Sequence, residues 1–328
     1  MLRALAHRVL TAGAVVLGVV TLTFFVLRLA PGEPVERLLG PTATPAQLAA
    51  QRRALGLDQP LPAQYRAWLA RSVRGDWGES IATGRPVADM LARAWPSTVG
   101  LVGLSLVLSY AFGIAVGMLQ ASRSGTRVDT ALSVGTVTLF AIPGYWLGLM
   151  LVMAFSYGLR MLPAFGAAGL DADYLSGWAR LADRLQHLAL PLATLVLIGV
   201  GGTARFVRGA MLDVLTQPFV VAARGRGLPD VLVLRRHVLR NALIPVVTLL
   251  GLSLPVLFTG VVFVEAVFAW PGVGGVLVQA VQARDYPVVM AATTVSALLV
   301  VAGNLLADVL VAAVDPRLRA RVVGPPPA

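Results

Sequence analysis

The sequence predicts an all-α protein that crosses a membrane several times. Of its 328 residues, 57% are hydrophobic and only 13% are charged, which is about half the charge of a soluble domain. Several stretches reach the roughly 20 mainly apolar residues that a membrane helix needs. The net charge of +11 comes entirely from arginine, because the chain has no lysine. These arginines flank apolar stretches, so they indicate membrane orientation rather than nucleic-acid binding.

The apolar stretches predict six membrane-spanning helices, near residues 9–29, 97–120, 129–157, 187–204, 242–264 and 287–313. The first has a competing interpretation as a signal peptide, because Arg3 and Arg8 precede it. Its apolar run is longer than that of a usual signal sequence, and no small-residue cleavage site follows it. We therefore expect an uncleaved helix.

The same pattern divides the chain into parts. We expect an N-terminal transmembrane helix (1–29), an extracytoplasmic helical segment (30–96), a five-helix transmembrane core (97–316) with a cytoplasmic loop at 205–241, and a cytoplasmic tail (317–328). Within the extracytoplasmic segment, residues 45–56 and 62–73 have the apolar periodicity of short amphipathic helices.

The arginine distribution predicts the side on which each connection lies. The 205–240 stretch contains seven arginines and only two acids, and Arg123 and Arg127 lie in the connection between the second and third spans. In the 158–186 connection, aspartates offset the arginines. Short cytoplasmic loops carry an excess of arginine. We therefore expect a multi-pass protein of the cytoplasmic (inner) membrane with both termini in the cytoplasm.

A short helix is predicted inside the arginine-rich stretch. Pro218 suits a helix start, whereas Gly225 and Gly227 are poor helix residues. The intervening helix of about nine residues is too short to be stable alone in water, so it must pack on something.

The side chains of this short helix suggest a docking face. Phe219, Ala222 and Ala223 lie at i, i+3 and i+4 and so share one side, with Arg224 and then Gly227 at the exit. Two interpretations remain open. Either the helix docks a soluble partner, or the arginines around it only set topology and bind lipid headgroups.

Missing residue types exclude several kinds of chemistry. The chain has no cysteine, which excludes disulfides, thiolate metal sites and cysteine nucleophiles. The histidines, His7, His187 and His237, have no metal-ligand spacing. A phosphate-binding P-loop needs a lysine, and neither Gly-x-Ser-x-Gly nor His-Glu-x-x-His occurs. We therefore predict no catalytic residue, no metal and no cofactor on this chain.

Residues along nearly the whole chain resemble one family of membrane transporters. The loop Val221-Ala222-Ala223-Arg224-Gly225-Arg226-Gly227 is similar to the Glu-Ala-Ala-x3-Gly loop of ATP-binding-cassette (ABC) importer membrane subunits, with Val221 in place of the glutamate. Further similar stretches are Pro31–Pro34, Leu55–Leu61, Gly75–Gly78, Thr83–Val87, His237–Pro245, Glu265–Gly274, Arg284–Pro287 and Asp315–Arg317. The chain is identified as a member of the dipeptide/oligopeptide and nickel importer family, in its first-permease branch.

This resemblance implies a type I ABC importer permease fold and a non-enzymatic transport subunit. Such a subunit forms half of the pathway for a small solute, most often a di- or oligopeptide. The implied partners are a homologous second permease, two cytoplasmic ABC ATPases and an extracytoplasmic solute-binding protein, in a lipid membrane and without nucleic acid. The loop helix, with Phe219, Ala222, Ala223, Arg224 and Gly227, would transmit the closure of the ATPases.

Other residues inside or beside the spans are candidates for a pathway or gating role: Glu265, Trp270, Asp285, Asn304 and Asp308. An acid inside a membrane is a functional candidate by default, but Asp308 lies near enough to the end of its span for a structural pairing. The connection that contains Trp270 and Asp285 is an outer gate, a docking surface for the binding protein, or an ordinary anchored loop.

Small residues and prolines in the spans predict packing and bends. Gly100, Gly103, Gly113 and Gly117 give the second span small-residue faces for helix packing. Pro143, Pro191, Pro245 and Pro255 interrupt apolar helices and mark either bends near the pathway or packing kinks.

A lone ion-coupled secondary transporter and an intramembrane protease are the alternative functions. This chain lacks the sequence motifs that an intramembrane protease would need. An ion-coupled carrier needs several acids or broken helices near mid-membrane, and only Asp308 and Asn304 come near to that.

Overall fold

The computed structural model describes residues 2–29, 32, 35, 39–40 and 42–314. Within these residues the regular elements are helical, and the β-type pairing is limited to an isolated antiparallel bridge between Glu79 and Pro86. The predicted all-α class is confirmed.

The helices follow one another along the chain as α1 (Leu2–Leu29), α2 (Pro45–Ala54), α3 (Leu61–Val73), α4 (Val87–Ser122), α5 (Arg127–Ala141), α6 (Gly144–Leu151), α7 (Gly177–Leu215), α8 (Pro218–Gly225), α9 (Asp230–Leu232), α10 (Arg240–Val267), α11 (Val273–Ala283) and α12 (Tyr286–Val314). Two π-helical stretches extend them: Val152–Gly158 continues α6, and Val233–Leu239 joins α9 to α10. The two short helices predicted before residue 74 are present as α2 and α3.

Several helices are suited to a membrane by length and composition. In the described part of the chain, the helices that qualify alone are Leu10–Leu29, Val87–Ser122, Gly177–Leu215 and Tyr286–Leu306. A fifth crossing is obtained if α5 and the helix from Gly144 to Gly158 form one broken span. α10 has 28 residues, but several of its central side chains lie outside the described set. The count of six spans therefore stays a prediction.

The span predicted near 129–157 consists of two helices that meet at 106°, and the break lies at Pro143, one of the prolines predicted to interrupt an apolar helix. Ile142 and Pro143 both leave the helical conformation, with ψ of 130° and 133°. A proline disfavours helical backbone at the preceding residue and donates no backbone hydrogen bond, which accounts for the break. Pro191, in contrast, is accommodated inside α7.

The chain forms two compact units. The first takes most of its residues from Val99–Trp270, and the second takes its residues from His7–Thr98 and Pro271–Leu299. The division at residues 29, 96 and 316 that the sequence suggests stays a prediction.

The first unit is built around α7, which packs on α5 and α10. α4 also approaches α7 closely, because a Cβ added at Gly113 would lie 2.6 Å from Thr203 Cβ, and one added at Gly117 would lie 2.5 Å from the Ala204 carbonyl oxygen. These two glycines therefore have the predicted packing role. At Gly100 and Gly103 an added Cβ would meet no atom of the described residues within 4 Å.

The second unit has its own core. Val87 and Leu91 of α4 pack with Val273 of α11 and with Val288 and Ala291 of α12.

An aromatic cluster lies beside this core. The Phe24 ring of α1 contacts Tyr65 of α3 at a centroid distance of 5.2 Å.

Arg71 of α3 and Asp76 form an exposed ion pair. The Arg71 guanidinium hydrogen-bonds to the Asp76 carboxylate and lowers the pKa of that carboxyl below its usual value.

Candidate functional site

α8 is a short helix with a defined start and end. Pro218 occupies its first turn, where the missing N–H costs nothing. At the other end Gly227 has a φ of +76°. The Gly227 N–H donates to the Arg224 carbonyl at 2.8 Å, and the Leu228 N–H donates to the Ala223 carbonyl at 3.5 Å. This is a Schellman cap, in which Gly227 terminates the helix two residues after its last helical residue, Gly225.

One side of α8 seats the helix on the first unit. Val220 is fully buried and Ala223 is only 5% exposed. Both join a core cluster with Val207 and Met211 of α7 and Val233 of the second π-helical stretch. The short helix thus obtains its order from packing, as its length requires.

The other side of α8 is free. Phe219 is 44% exposed and Val221 is 62% exposed, and Ala222 is exposed between them. The predicted common face of Phe219, Ala222 and Ala223 needs correction, because Ala223 points inward. Val220 and Ala223, at i and i+3, share the side that packs on α7 and on the second π-helical stretch.

The exit of α8 is tied to the next element. Arg224 Nε donates to Asp230 Oδ1 at 3.1 Å, and the two side chains are 49% and 74% exposed. Such an exposed pair contributes little to stability. From Asp230 the chain continues through the second π-helical stretch into α10, with Arg235, Arg236 and Arg240 exposed.

A polar cluster links α5 to α7 close to the loop. Arg208 Nε and Nη2 donate to Asp129 Oδ1 and Oδ2 at 2.8 Å each. Asp129 is 4% exposed, and it also accepts hydrogen bonds from the Gly125 N–H at 3.1 Å and from Ser133 Oγ at 3.3 Å. Its carboxylate is therefore well satisfied although it is buried.

A cavity of about 990 Å³ opens in the first unit between α4, α5, α7 and α10. We call it the inner cavity. Most of its lining is apolar, as in Leu106, Ile198, Phe206 and Leu249. Its neutral polar groups include the Tyr110 and Ser253 hydroxyls, which hydrogen-bond to each other at 2.8 Å.

The described residues predicted as pathway or gating candidates lie outside the inner cavity. Glu265 is fully buried near the end of α10, and its backbone carbonyl accepts from the Trp270 N–H at 2.9 Å. Trp270 packs partly buried against a core cluster of the first unit. Asn304 is exposed on α12, and the side chain of Asp308 lies outside the described residues. None of the described candidates, including Asp285, lines the inner cavity.

Asp285 has a bonding role in the second unit. It is 3% exposed and accepts a short hydrogen bond from Ser80 Oγ. The Ile81 and Ala82 N–H groups also donate to it, at 3.1 and 3.2 Å. The gating role of Asp285 stays a prediction. In the structure its carboxylate accepts three hydrogen bonds from the turn that begins at Ser80.

Sequence reasoning missed the Asp129–Arg208 pair and the charged residues of the inner cavity, Arg205 and Asp213. Asp129 and Arg208 are 79 positions apart, and only the fold brings them together. The spacing of Arg205 and Asp213, at i and i+8 on one helix, was a signal present in the sequence.

Comparison with known proteins gives concordant matches. Residues 113–320 match the family described as binding-protein-dependent transport system inner membrane component. Residues 1–102 match the N-terminal part of the membrane component of such systems.

Several known proteins are similar to this chain over nearly their full length and nearly the full length of this chain. The oligopeptide transport system permease protein AppB of Bacillus subtilis is 38% identical over 95% of this chain and 98% of its own length. The probable D,D-dipeptide transport system permease protein DdpB of Escherichia coli is 37% identical over 93% and 94%. The glutathione transport system permease protein GsiC of Salmonella typhi is 36% identical over 97% and 99%.

Two solved structures share the fold. The MetNI methionine ABC transporter in an inward-facing conformation matches 69% of this chain and 96% of its own, with a TM-score of 0.52 at 18% identity. An amino acid ABC transporter with histidines matches 69% and 94%, with the same TM-score at 12% identity.

Proposed function

Since the chain belongs to the family of binding-protein-dependent transport system inner membrane components, we propose that it forms one half of the membrane pathway of a peptide importer. It is the permease subunit of an ABC importer, and it has no catalytic function of its own. Its transport system includes ATPase subunits and a binding protein. The alternative of a lone secondary transporter is not favoured.

Short peptides are the proposed substrates. The supporting observation is that proteins similar over nearly their full length are named for oligopeptides, for D,D-dipeptides and for glutathione. These solutes share a peptide backbone and charged ends. The proposed assembly pairs this chain with a homologous second permease and two ATPase subunits.

The free side of α8 is the proposed ATPase-docking surface. It presents Phe219, Val221 and Ala222 to solvent, whereas Val220 and Ala223 hold the opposite side on α7 and on the stretch leading to α10. A push on the free side is therefore delivered to two long helices at once. Arg224 and Gly227 fix the exit of α8. The packing of one side of α8 on two long helices, with the other side exposed, is the observation on which the proposed mechanism rests.

The orientation follows from the same proposal. α8 must lie in the cytoplasm to meet an ATPase, and with six spans both termini lie there too. The exposed Arg235, Arg236 and Arg240 support this side of the membrane.

Cysteine accessibility tests the orientation and the docking together, because the chain has no cysteine of its own. Ala222→Cys should react with a membrane-impermeant maleimide in inverted vesicles and not in right-side-out vesicles. Asp171→Cys, at an exposed position of the 158–186 connection, is the matched control with the opposite pattern.

The partner is tested in the same vesicles. Removing the ATPase subunits should speed the labelling of Ala222→Cys, whereas the labelling of Asp171→Cys should not change. Reaction of Ala222→Cys from outside the cell, or labelling that ignores the ATPases, overturns the proposal.

A further inference from the structure

The inner cavity carries its charge on one helix. Arg205 and Asp213, both on α7, are the charged residues among its described lining. They are eight positions apart and therefore lie on the same side of the helix, about 12 Å apart along its axis. Gly209 lies midway between them and also lines the cavity. An added Cβ at Gly209 would meet none of the described atoms within 4 Å, so no described side chain fills the strip between the two charges.

Arg205 lines the inner cavity and its side chain is exposed. Its Cζ lies 4.7 Å from the centroid of the Phe140 ring on α5, a cation–π contact between two residues of the cavity lining. Among the described residues, neither Arg205 nor Asp213 forms an ion pair. Arg208, one turn further along the helix, is by contrast committed to Asp129.

We propose that Arg205 and Asp213 are specificity-determining residues that contact the carboxylate end and the ammonium end of a zwitterionic short peptide in the inner cavity. This inference rests on the proposed function of the chain. An extended peptide advances about 3.3–3.6 Å per residue, so the spacing suits peptides of roughly three to four residues.

The remaining lining suits such a ligand. A volume of about 990 Å³ is at the upper end of the range of small-ligand sites. The apolar walls accept varied side chains, and the Tyr110 and Ser253 hydroxyls satisfy each other. The two separated charges are then the feature that distinguishes a peptide with free ends from one with blocked ends.

The test uses the complete transporter, reconstituted with its ATPases and binding protein. ATP-driven uptake is measured for one tripeptide in free, N-acetylated and C-amidated forms. Arg205→Gln should lower kcat/KM for peptides with a free carboxylate by about tenfold, equivalent to about 1.4 kcal/mol, and affect the C-amidated form much less. Asp213→Asn should do the same for peptides with a free amine. Arg184→Gln, an exposed arginine of α7 outside the cavity lining, should leave all three rates unchanged.

A second measurement avoids the selectivity of the binding protein. Gly209→Cys, in a chain without other cysteines, should be protected from maleimide by the free tripeptide and not by a doubly blocked one. Equal losses for all three peptide forms, or protection that ignores the blocked ends, overturns the inference while peptide import stands. If the wild-type transporter shows no ATP-driven peptide uptake, the proposed function itself fails, and this inference fails with it.

Discussion

Arg208 of α7 binds Asp129 of α5 through two parallel hydrogen bonds of 2.8 Å each. Arg208 lies about two turns before the end of α7, and α8 follows shortly after that helix. Because the Asp129 carboxylate is buried, this bidentate contact joins α5 firmly to the end of α7. In the proposed mechanism, a displacement of α8 would reach α5 through this ion pair as well as through apolar packing.

Breaking this pair should lower the stability of the complex and weaken the coupling of ATP hydrolysis to peptide uptake. Asp129→Asn leaves the partly exposed Arg208 guanidinium without its charge partner, and the loss of such a partner costs about 1–3 kcal/mol. We expect a lower midpoint of thermal unfolding for the purified complex and more ATP hydrolysed per peptide imported. The exposed Arg224–Asp230 pair is the matched control, and Asp230→Asn should cost less than about 1 kcal/mol. Equal effects of the two variants would refute the special role of the buried pair.

Much of the organisation around α7 follows from local sequence rules. Pro218 and Gly227 define the ends of α8, and Pro143 marks the bend after α5, because proline and glycine restrict or permit backbone conformations wherever they occur. These predictions depend on a few neighbouring residues, so the sequence is enough to make them.

What the sequence leaves undecided depends on contacts between distant segments. A helix of eight residues could pack through several of its sides. The side that is buried here, with Val220 and Ala223, is determined by packing on α7. Likewise, four glycines of α4 have the same local appearance, yet only Gly113 and Gly117 meet α7. The pairing of Asp129 with Arg208 is of the same kind.

The glycines of α4 give a direct test of this packing. Gly117→Ala places a methyl group 2.5 Å from the Ala204 carbonyl oxygen and 2.8 Å from Val207 Cβ, so α4 and α7 must separate. We expect a loss of about 1–3 kcal/mol, typical of overpacking, seen as a lower thermal midpoint. Gly103→Ala, where no described residue lies within 4 Å of the added Cβ, should be neutral or slightly stabilising because alanine favours helix. A neutral Gly117→Ala would show that α4 does not approach α7 this closely.

The bonds to Asp285 predict local protection from hydrogen exchange. Asp285→Asn keeps one oxygen acceptor for three donors, so at least one buried donor loses its partner, which costs about 1–3 kcal/mol. We expect the amides of Ile81 and Ala82 to exchange at least about tenfold faster in that variant. Asp171→Asn, at an exposed position, should not change their exchange. Unaltered protection in Asp285→Asn would mean that the carboxylate does not order this turn.

Neighbouring alanines of α8 separate docking from folding. Ala223→Glu places a carboxylate in the core under α8, where an unpaired charge is strongly disfavoured. It should lower the thermal midpoint of the complex and abolish uptake, because the helix is displaced. Ala222→Glu changes only the exposed side of α8, so the thermal midpoint should stay within the change typical of surface substitutions, about 0.5 kcal/mol. Its uptake should nevertheless fall at least about tenfold, since an ATPase surface that accommodates alanine meets a charged side chain instead. Ala222→Ser, which adds little volume and no charge, should retain uptake and serves as the control. If Ala222→Glu imports peptide at the wild-type rate, the free side of α8 does not carry the contact, and another part of the 205–241 loop must receive the ATPase.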